Sequence, residues 1–272
     1  MRARKRFGQH FLEAAWVTKL VDASAIGPTD SVLEIGPGRG AITRPLAARA
    51  QRLLAVEVDR DLAADLEHAG VPNVTVITSD VLEVDLVPAL TAWLGAPPSS
   101  ANPFRVVGNL PYNISSPILF ALLGLAAKTG AMTDALLMLQ KEVADRLVAA
   151  PSTSEYGVLT VLTALHADVT RVLHLPPGAF RPPPKVQSSV VRLTFRPPTV
   201  EITDHEVFVK MVRTMFTQRR KTVANALKPF GLDRGLAPTA PLAAAGIDPM
   251  RRPETLTLAE MAALANAFVA VT

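Results

Sequence analysis

The stretch Ser31-Val-Leu-Glu-Ile-Gly-Pro-Gly-Arg-Gly40 decides the fold. Five residues, mostly apolar, read as a strand buried on both faces, and they run straight into a glycine-rich turn. Glycines at 36, 38 and 40 permit a tight turn and let a ligand approach the backbone, with the N-terminus of the next helix beneath it. The spacing is Gly-x-Gly-x-Gly with Ala41 following, so the dinucleotide fingerprint is met only in its tolerant form. A turn of this kind is weak evidence until the strand ends that follow are read with it.

Those ends carry acids. Further runs suited to buried strands lie at 52–56, 74–77, 104–108 and 135–139, and Ala/Leu-rich segments at 41–50, 60–68, 86–94 and 114–127 are long enough for helices. The alternation predicts a βαβ series and hence a doubly wound, mostly parallel sheet. Glu57 closes the second strand, where its carboxylate can accept from two ribose hydroxyls. Asp80 closes the third, where it can accept from an adenine amine while the Val81 backbone reads the ring edge. With Gly36 and Gly38 these residues offer a nucleoside site. Singly, Glu57 or Asp80 would read as a helix cap or a solvated loop acid. A ligand without a pyrophosphate suits the loop, and S-adenosyl-L-methionine is such a molecule.

After the fourth strand comes Asn109-Leu-Pro-Tyr112. An adenine amine is a poor nucleophile because its lone pair is delocalised into the ring. Two acceptors on its hydrogens, the Asn109 side-chain oxygen and the backbone carbonyl of Leu110 or Pro111, would draw the nitrogen toward tetrahedral geometry. Proline fixes φ and brings no competing N–H. Tyr112 offers a surface on which an extruded base can stack, worth about 1–3 kcal/mol. Taken alone, the tetrapeptide could equally be a turn with one buried aromatic.

Beyond Tyr156 the pattern changes. A helix or strand at 157–166 leads to runs at 169–175 and 188–195 that look like an antiparallel pair closing the sheet. Between them, the prolines of 176–184 predict an extended connection without regular structure. From about residue 199 the periodicity is helical: Val207, Met211, Val212 and Met215 form a stripe suited to a core, and Thr257 with Glu260 resembles a capping box opening a last helix to 269. The expected division is a catalytic domain at 1–198 and a helical domain at 199–272.

The net charge of +4 is unevenly placed. Residues 1–15 sum to +3 and residues 210–252 to +7, around a centre at 16–209 of −4. Basic ends around an acidic middle suggest a polyanion held at both ends, although a solvated charged surface has the same appearance. Arg2, Arg4, Lys5 and Arg6 would form a basic arm. Arg219, Arg220 and Lys221, if helical, would splay around the helix and suit phosphate contacts. With no cysteine and five histidines that lack ligand spacing, thiolate chemistry is excluded and no metal site is expected. Neither a signal peptide nor a bilayer-spanning run is apparent, so a cytoplasmic location is expected.

The segments Phe7-Gly-Gln-His-Phe-Leu12, Glu34-Ile-Gly-Pro-Gly38, Val56-Glu-Val-Asp59, Asn109-Leu-Pro-Tyr-Asn-Ile114, Leu139-Gln-Lys-Glu-Val143, Phe180-Arg-Pro-Pro-Pro-Lys-Val186 and Gln218-Arg-Arg-Lys-Thr222 occur in that order. Together they resemble the ribosomal RNA adenine dimethyltransferases over essentially the whole chain, and most nearly the bacterial small-subunit type. The resemblance implies a class I methyltransferase fold with a small helical domain. It implies that Gln9, His10 and Leu12 hold the methionine end of the cofactor, with Gly36 beneath its centre, Glu57 on the ribose, Asp80 on the adenine and Asn109 between cofactor and target. Many relatives carry Asn where this chain has His10; either side chain can reach the cofactor carboxylate. The products implied are two adjacent dimethylated adenosines near the 3′ end of small-subunit RNA; the expected partner is that RNA in an immature subunit, and a monomer is expected.

Three alternatives stand beside this reading: the related resistance enzymes acting on large-subunit RNA, an assembly checkpoint factor in which binding outweighs catalysis, and a nicotinamide oxidoreductase, for which no hydride-transfer partner is visible. Phe180 could wall the base pocket opposite Tyr112 or could belong to the core.

Overall fold

The computed structural model describes residues 10–271. Two compact units emerge, one of residues up to Ala144 together with Asp168–Arg196, the other of Asp145–Ala167 with Pro197 onward. The second unit therefore takes in 145–167, which the sequence reading had placed in the first domain.

In the first unit the sheet runs β4 (Val74–Thr78), β3 (Arg52–Glu57), β2 (Ser31–Ile35), β5 (Phe104–Asn109), β6 (Met132–Gln140), β9 (Ser188–Phe195) and β7 (Ala167–Leu175). The first five are mutually parallel and β9 is antiparallel to β6. All five residues of β2 are buried, as a central strand covered on both faces requires. The order reverses between β2 and β5, so their carboxyl ends form the switch-point crevice where ligands bind in open α/β sheets. Helices α3 (Arg60–His68), α4 (Leu86–Leu94) and α5 (Ser115–Thr129) fall close to the expected segments. The expected helix at 41–50 is shorter, Thr43–Ala47 as α2, because the turn around Gly40 delays its start.

Two features were not foreseen. A two-residue strand β1 (Phe11–Leu12) and helix α1 (Ala14–Ser24) precede the sheet. The proline-rich segment is more regular than proline content alone predicts: a 3₁₀ turn at Pro177–Ala179 leads into β8 (Phe180–Arg181), which pairs antiparallel with β1. Phe180 and Arg181 are not prolines, and their backbone N–H groups permit the pairing. Near the amino ends of β5 and β6, Asp134 of β6 receives both Arg105 (2.6 Å) and Arg192, and the same two guanidiniums donate to the carbonyls of Ala23, Ser24 and Ala25 that end α1. These orphan carbonyls are thus satisfied by cations, the favourable sign at a helix C-terminus.

In the second unit, α7 (Val158–His166), α8 (His205–Thr217) and α12 (Leu258–Ala270) pack together. Val207, Met211, Val212 and Met215 of α8 are buried, which makes the stripe core. The box opening α12 is formed: the Thr257 N–H donates to Glu260 (2.8 Å), and the Glu260 N–H donates to the Thr257 hydroxyl (3.2 Å). Arg219, Arg220 and Lys221 correct the sequence reading, because α8 stops at Thr217 and the three lie in the turn that follows. Arg219 is half-buried and donates to the Ser154 carbonyl at 2.7 Å, while Arg220 and Lys221 are exposed.

Candidate active site

A cavity of about 280 Å³ opens at the carboxyl ends of β2, β3, β4 and β5. It is lined by His10, Leu12, Gly36, Gly38, Glu57, Asp80, Val81, Asn109, Leu110, Pro111 and Tyr112. Eleven residues singled out from sequence, scattered over a hundred positions, thus meet in one place. Gln9 lies outside the described residues.

The glycine turn owes its shape to positive φ. Gly36 has φ +69° and its N–H donates to the Val56 carbonyl, tying the turn to β3. Gly40 has φ +74°, a left-handed conformation that strains any other residue, and a Cβ there would come within 2.9 Å of the Leu66 methyl on α3, which would have to shift.

Glu57 is 5% exposed, yet both of its oxygens are engaged: Oε2 accepts from the Gly38 N–H and Oε1 from the Asp59 N–H, each at 2.9 Å. Burial pushes its pKa up, and the two backbone donors oppose that. Each carboxylate oxygen accepts two hydrogen bonds, so one site per oxygen remains for the paired hydroxyls of a ribose. Asp80 Oδ1 accepts from the Leu82 N–H at 2.9 Å, leaving its second oxygen for an exocyclic amine. Exposed Val58, which follows Glu57, adds an apolar wall suited to a purine face.

Around Asn109 the backbone leaves β5, with the Leu110 N–H donating to the Met138 carbonyl. Asn109 Nδ2 donates to the His10 carbonyl at 3.2 Å. The donor end of the amide is therefore committed, and its oxygen is the end left to accept. The Pro111 carbonyl accepts from the Ile114 N–H, closing the turn, which favours the Leu110 carbonyl as the second acceptor. Tyr112 pairs its hydroxyl with Ser188 Oγ at 2.6 Å, and burial raises its pKa.

Phe180 needs correction. It is fully buried in the core with Leu12, Leu175 and Ala179, and it does not line the cavity. Pairing of β8 with β1 turns the ring inward. Phe11, Arg39 and Ser79, which also line the cavity, were missed. Phe11 carries the Arg39 guanidinium 4.1 Å above its ring and would meet a Cβ at Gly38. Its only sequence signal was its place between two motif residues.

Comparison with known proteins fixes the family. The sequence profile described as ribosomal RNA adenine dimethylase matches residues 1–268. The chain belongs to the ribosomal RNA adenine dimethylase family. A relative named ribosomal RNA small subunit methyltransferase A, from Geobacter metallireducens, is 44% identical across all of this chain and 97% of its own length. One of the same name from Acinetobacter baylyi is 44% identical, covering 98% of this chain and 93% of its own. Among solved structures, a dimethyladenosine transferase from Plasmodium falciparum superposes with a TM-score of 0.74 at 23% identity, covering 94% of this chain and 96% of that one. The 23S rRNA methyltransferase ErmE superposes at 0.66 with 28% identity, covering 95% and 99%. The sheet is that of the class I methyltransferases, and the chain is an S-adenosylmethionine-dependent methyltransferase of this family.

The cavity fits that cofactor. Glu57 keeps two acceptor sites for a ribose, Asp80 one oxygen for an adenine amine, and the aromatic and carboxylate lining suits a sulfonium cation. Among the described residues no group of three or more acidic or histidine side chains is placed to hold a metal ion, and no helix is long and apolar enough to cross a membrane.

Proposed function

We propose that the protein dimethylates the exocyclic amines of two adjacent adenosines near the 3′ end of small-subunit ribosomal RNA, acting on an immature subunit. The observation that carries the reading is the orientation of Asn109. With Nδ2 held by the His10 carbonyl, the amide oxygen is the end left to accept one amine hydrogen, and in this reading the Leu110 carbonyl takes the other. Bound S-adenosylmethionine supplies an electrophilic methyl group. The chain's part is to localise the lone pair of the target nitrogen, stack the base on Tyr112 and exclude water. An N-alkylated adenine cation is acidic enough to lose its proton to solvent, so no strong base is required.

The 44% identical relatives named for the small subunit support that target over the large one. Phosphate contacts by Arg220 and Lys221 of the second unit, both exposed, belong to the same proposal, as does a helical RNA-binding domain there. Incubation with labelled S-adenosylmethionine and separated immature subunits tests it. Label is expected in small-subunit RNA and is expected to vanish in Asn109→Ala; label confined to large-subunit RNA overturns the assignment. If Asn109→Ala still corrects an assembly defect in cells, binding outweighs catalysis.

A further inference from the structure

The family resemblance assigns His10 to the cofactor, but its Nδ1 is engaged elsewhere. Nδ1 lies 2.7 Å from the Pro182 carbonyl oxygen. A carbonyl only accepts, so Nδ1 carries the hydrogen and donates it. The imidazole also lies against the Tyr112 ring, with centroids 5.8 Å apart and planes inclined by 22°, an offset stack. Tyr112 is held at its other end by Ser188 at the start of β9. The aromatic platform is therefore fixed at two points, its hydroxyl by β9 and one face by His10. His10 in turn is latched to the residue that follows β8, beside the register Phe11↔Arg181 and Leu12↔Phe180.

The spacing also limits where a base can go. A base between the two rings needs about 3.5 Å on each side, about 7 Å in all, which the pair does not leave. Phe180, buried in the core, supplies no second wall. A base stacking on Tyr112 would therefore have to use the face of the ring that His10 does not cover.

We propose that the His10 imidazole is a positioning residue for the target base: it backs the Tyr112 ring and latches the chain after β8 to it, while its own carbonyl orients Asn109. This deepens the reading above and rests on it. One residue of the N-terminal segment then sets both the acceptor oxygen and the stacking surface.

Three full-length variants separate the contacts. His10→Asn keeps an N–H near the position of Nδ1 without a ring, His10→Phe keeps a ring without the donor, and His10→Ala keeps neither. Cofactor affinity is read by calorimetry with S-adenosylhomocysteine. Base docking is read by the quenching of 2-aminopurine placed at the target position of a small-subunit RNA fragment, and kcat by methyl transfer at saturating cofactor. In His10→Ala, kcat is expected to fall about 10- to 100-fold and quenching to weaken, with cofactor affinity within about threefold. His10→Phe is expected to regain quenching and His10→Asn part of kcat, and these two serve if the alanine variant folds poorly. A tenfold or greater loss of cofactor affinity with kcat unchanged overturns the proposal in favour of a cofactor role. Wild-type kcat and quenching in all three variants overturns it as well. Absence of quenching by the wild-type protein strikes instead at the RNA reading, and the proposal falls with it.

Discussion

Glu34 is the most consequential side chain that the mechanism does not use. It sits in β2 beneath the glycine turn, 1% exposed, and among the described residues its Oε2 has no hydrogen-bond partner. Burial pushes its pKa up to about 8; the Thr43 hydroxyl works the other way and the Glu57 charge adds to the rise. At neutral pH the folded protein therefore holds Glu34 mainly as the neutral acid. Because the folded value lies above the 4.5 of the free side chain, the folded state binds the proton more tightly than the unfolded chain between the two values. The stability linked to it is full below pH 4.5, falls as pH rises, and is gone above about 8. The gap between those values corresponds to about 5 kcal/mol as an upper figure. Glu34→Gln keeps the shape and is neutral throughout, so it has no such slope. Urea unfolding of both proteins from pH 5 to 9 cancels the titrations they share. Stability of the glutamine variant relative to wild type is expected to improve by several kcal/mol over that range, in its favour at high pH. Parallel curves for the two proteins would refute the reasoning, since they would mean that Glu34 ionises in place without cost.

Other side chains give sharper local tests. Glu57→Gln must turn an amide nitrogen toward one of two backbone N–H groups, so S-adenosylhomocysteine affinity is expected to drop about 10- to 100-fold by calorimetry, and unchanged affinity counts against the ribose assignment. Asp134→Ala strips Arg105 and Arg192, whose side chains are 15% and 23% exposed, of their shared carboxylate; denaturant unfolding should show a loss of about 3–5 kcal/mol, and a loss below about 1 kcal/mol would show that the pair is solvated after all. Phe180→Ala should cost about 3–5 kcal/mol in the same assay with cofactor affinity little changed, whereas unaltered stability with weakened RNA binding would return Phe180 to the base pocket.

How much of this could be read from the chain depended on the range of the interactions involved. The strand at Ser31–Ile35 was visible because a strand buried on both faces must be apolar along its length, and the acids at its neighbours' ends were visible because each follows a strand in sequence. The helix after the glycine turn was read too long because Ala and Leu report propensity, while its start is delayed by turn residues that run to Ile42, closed by the Gly40 N–H donating to the Pro37 carbonyl. The helical periodicity from about residue 199 also spans Arg219 to Lys221, although α8 has already ended. Propensity carries no information on where a tertiary contact stops an element. Phe180 is the plainer case: Gly178, Arg181 and Pro182 around it are exposed, and only the pairing of β8 with β1, across some 170 positions, turns it into the core.

The same distinction explains the acceptor site. Asn109 to Tyr112 form one local motif, and their identities suffice to suggest an amine held between two oxygens. Their identities do not say which end of the amide faces the cavity or which face of the tyrosine is open. Those choices are made by His10, which meets Pro182 across 172 positions and Asn109 across 99, and by Ser188, which meets Tyr112 across 76. Each contact uses a donor or acceptor that would otherwise compete with the substrate, so the site's chemistry depends as much on polar groups being occupied as on their being present. A variant that leaves Asn109 and Tyr112 intact but frees the His10 carbonyl or the Pro182 carbonyl is therefore expected to misplace the acceptor atoms, with every motif residue still in its place in the sequence.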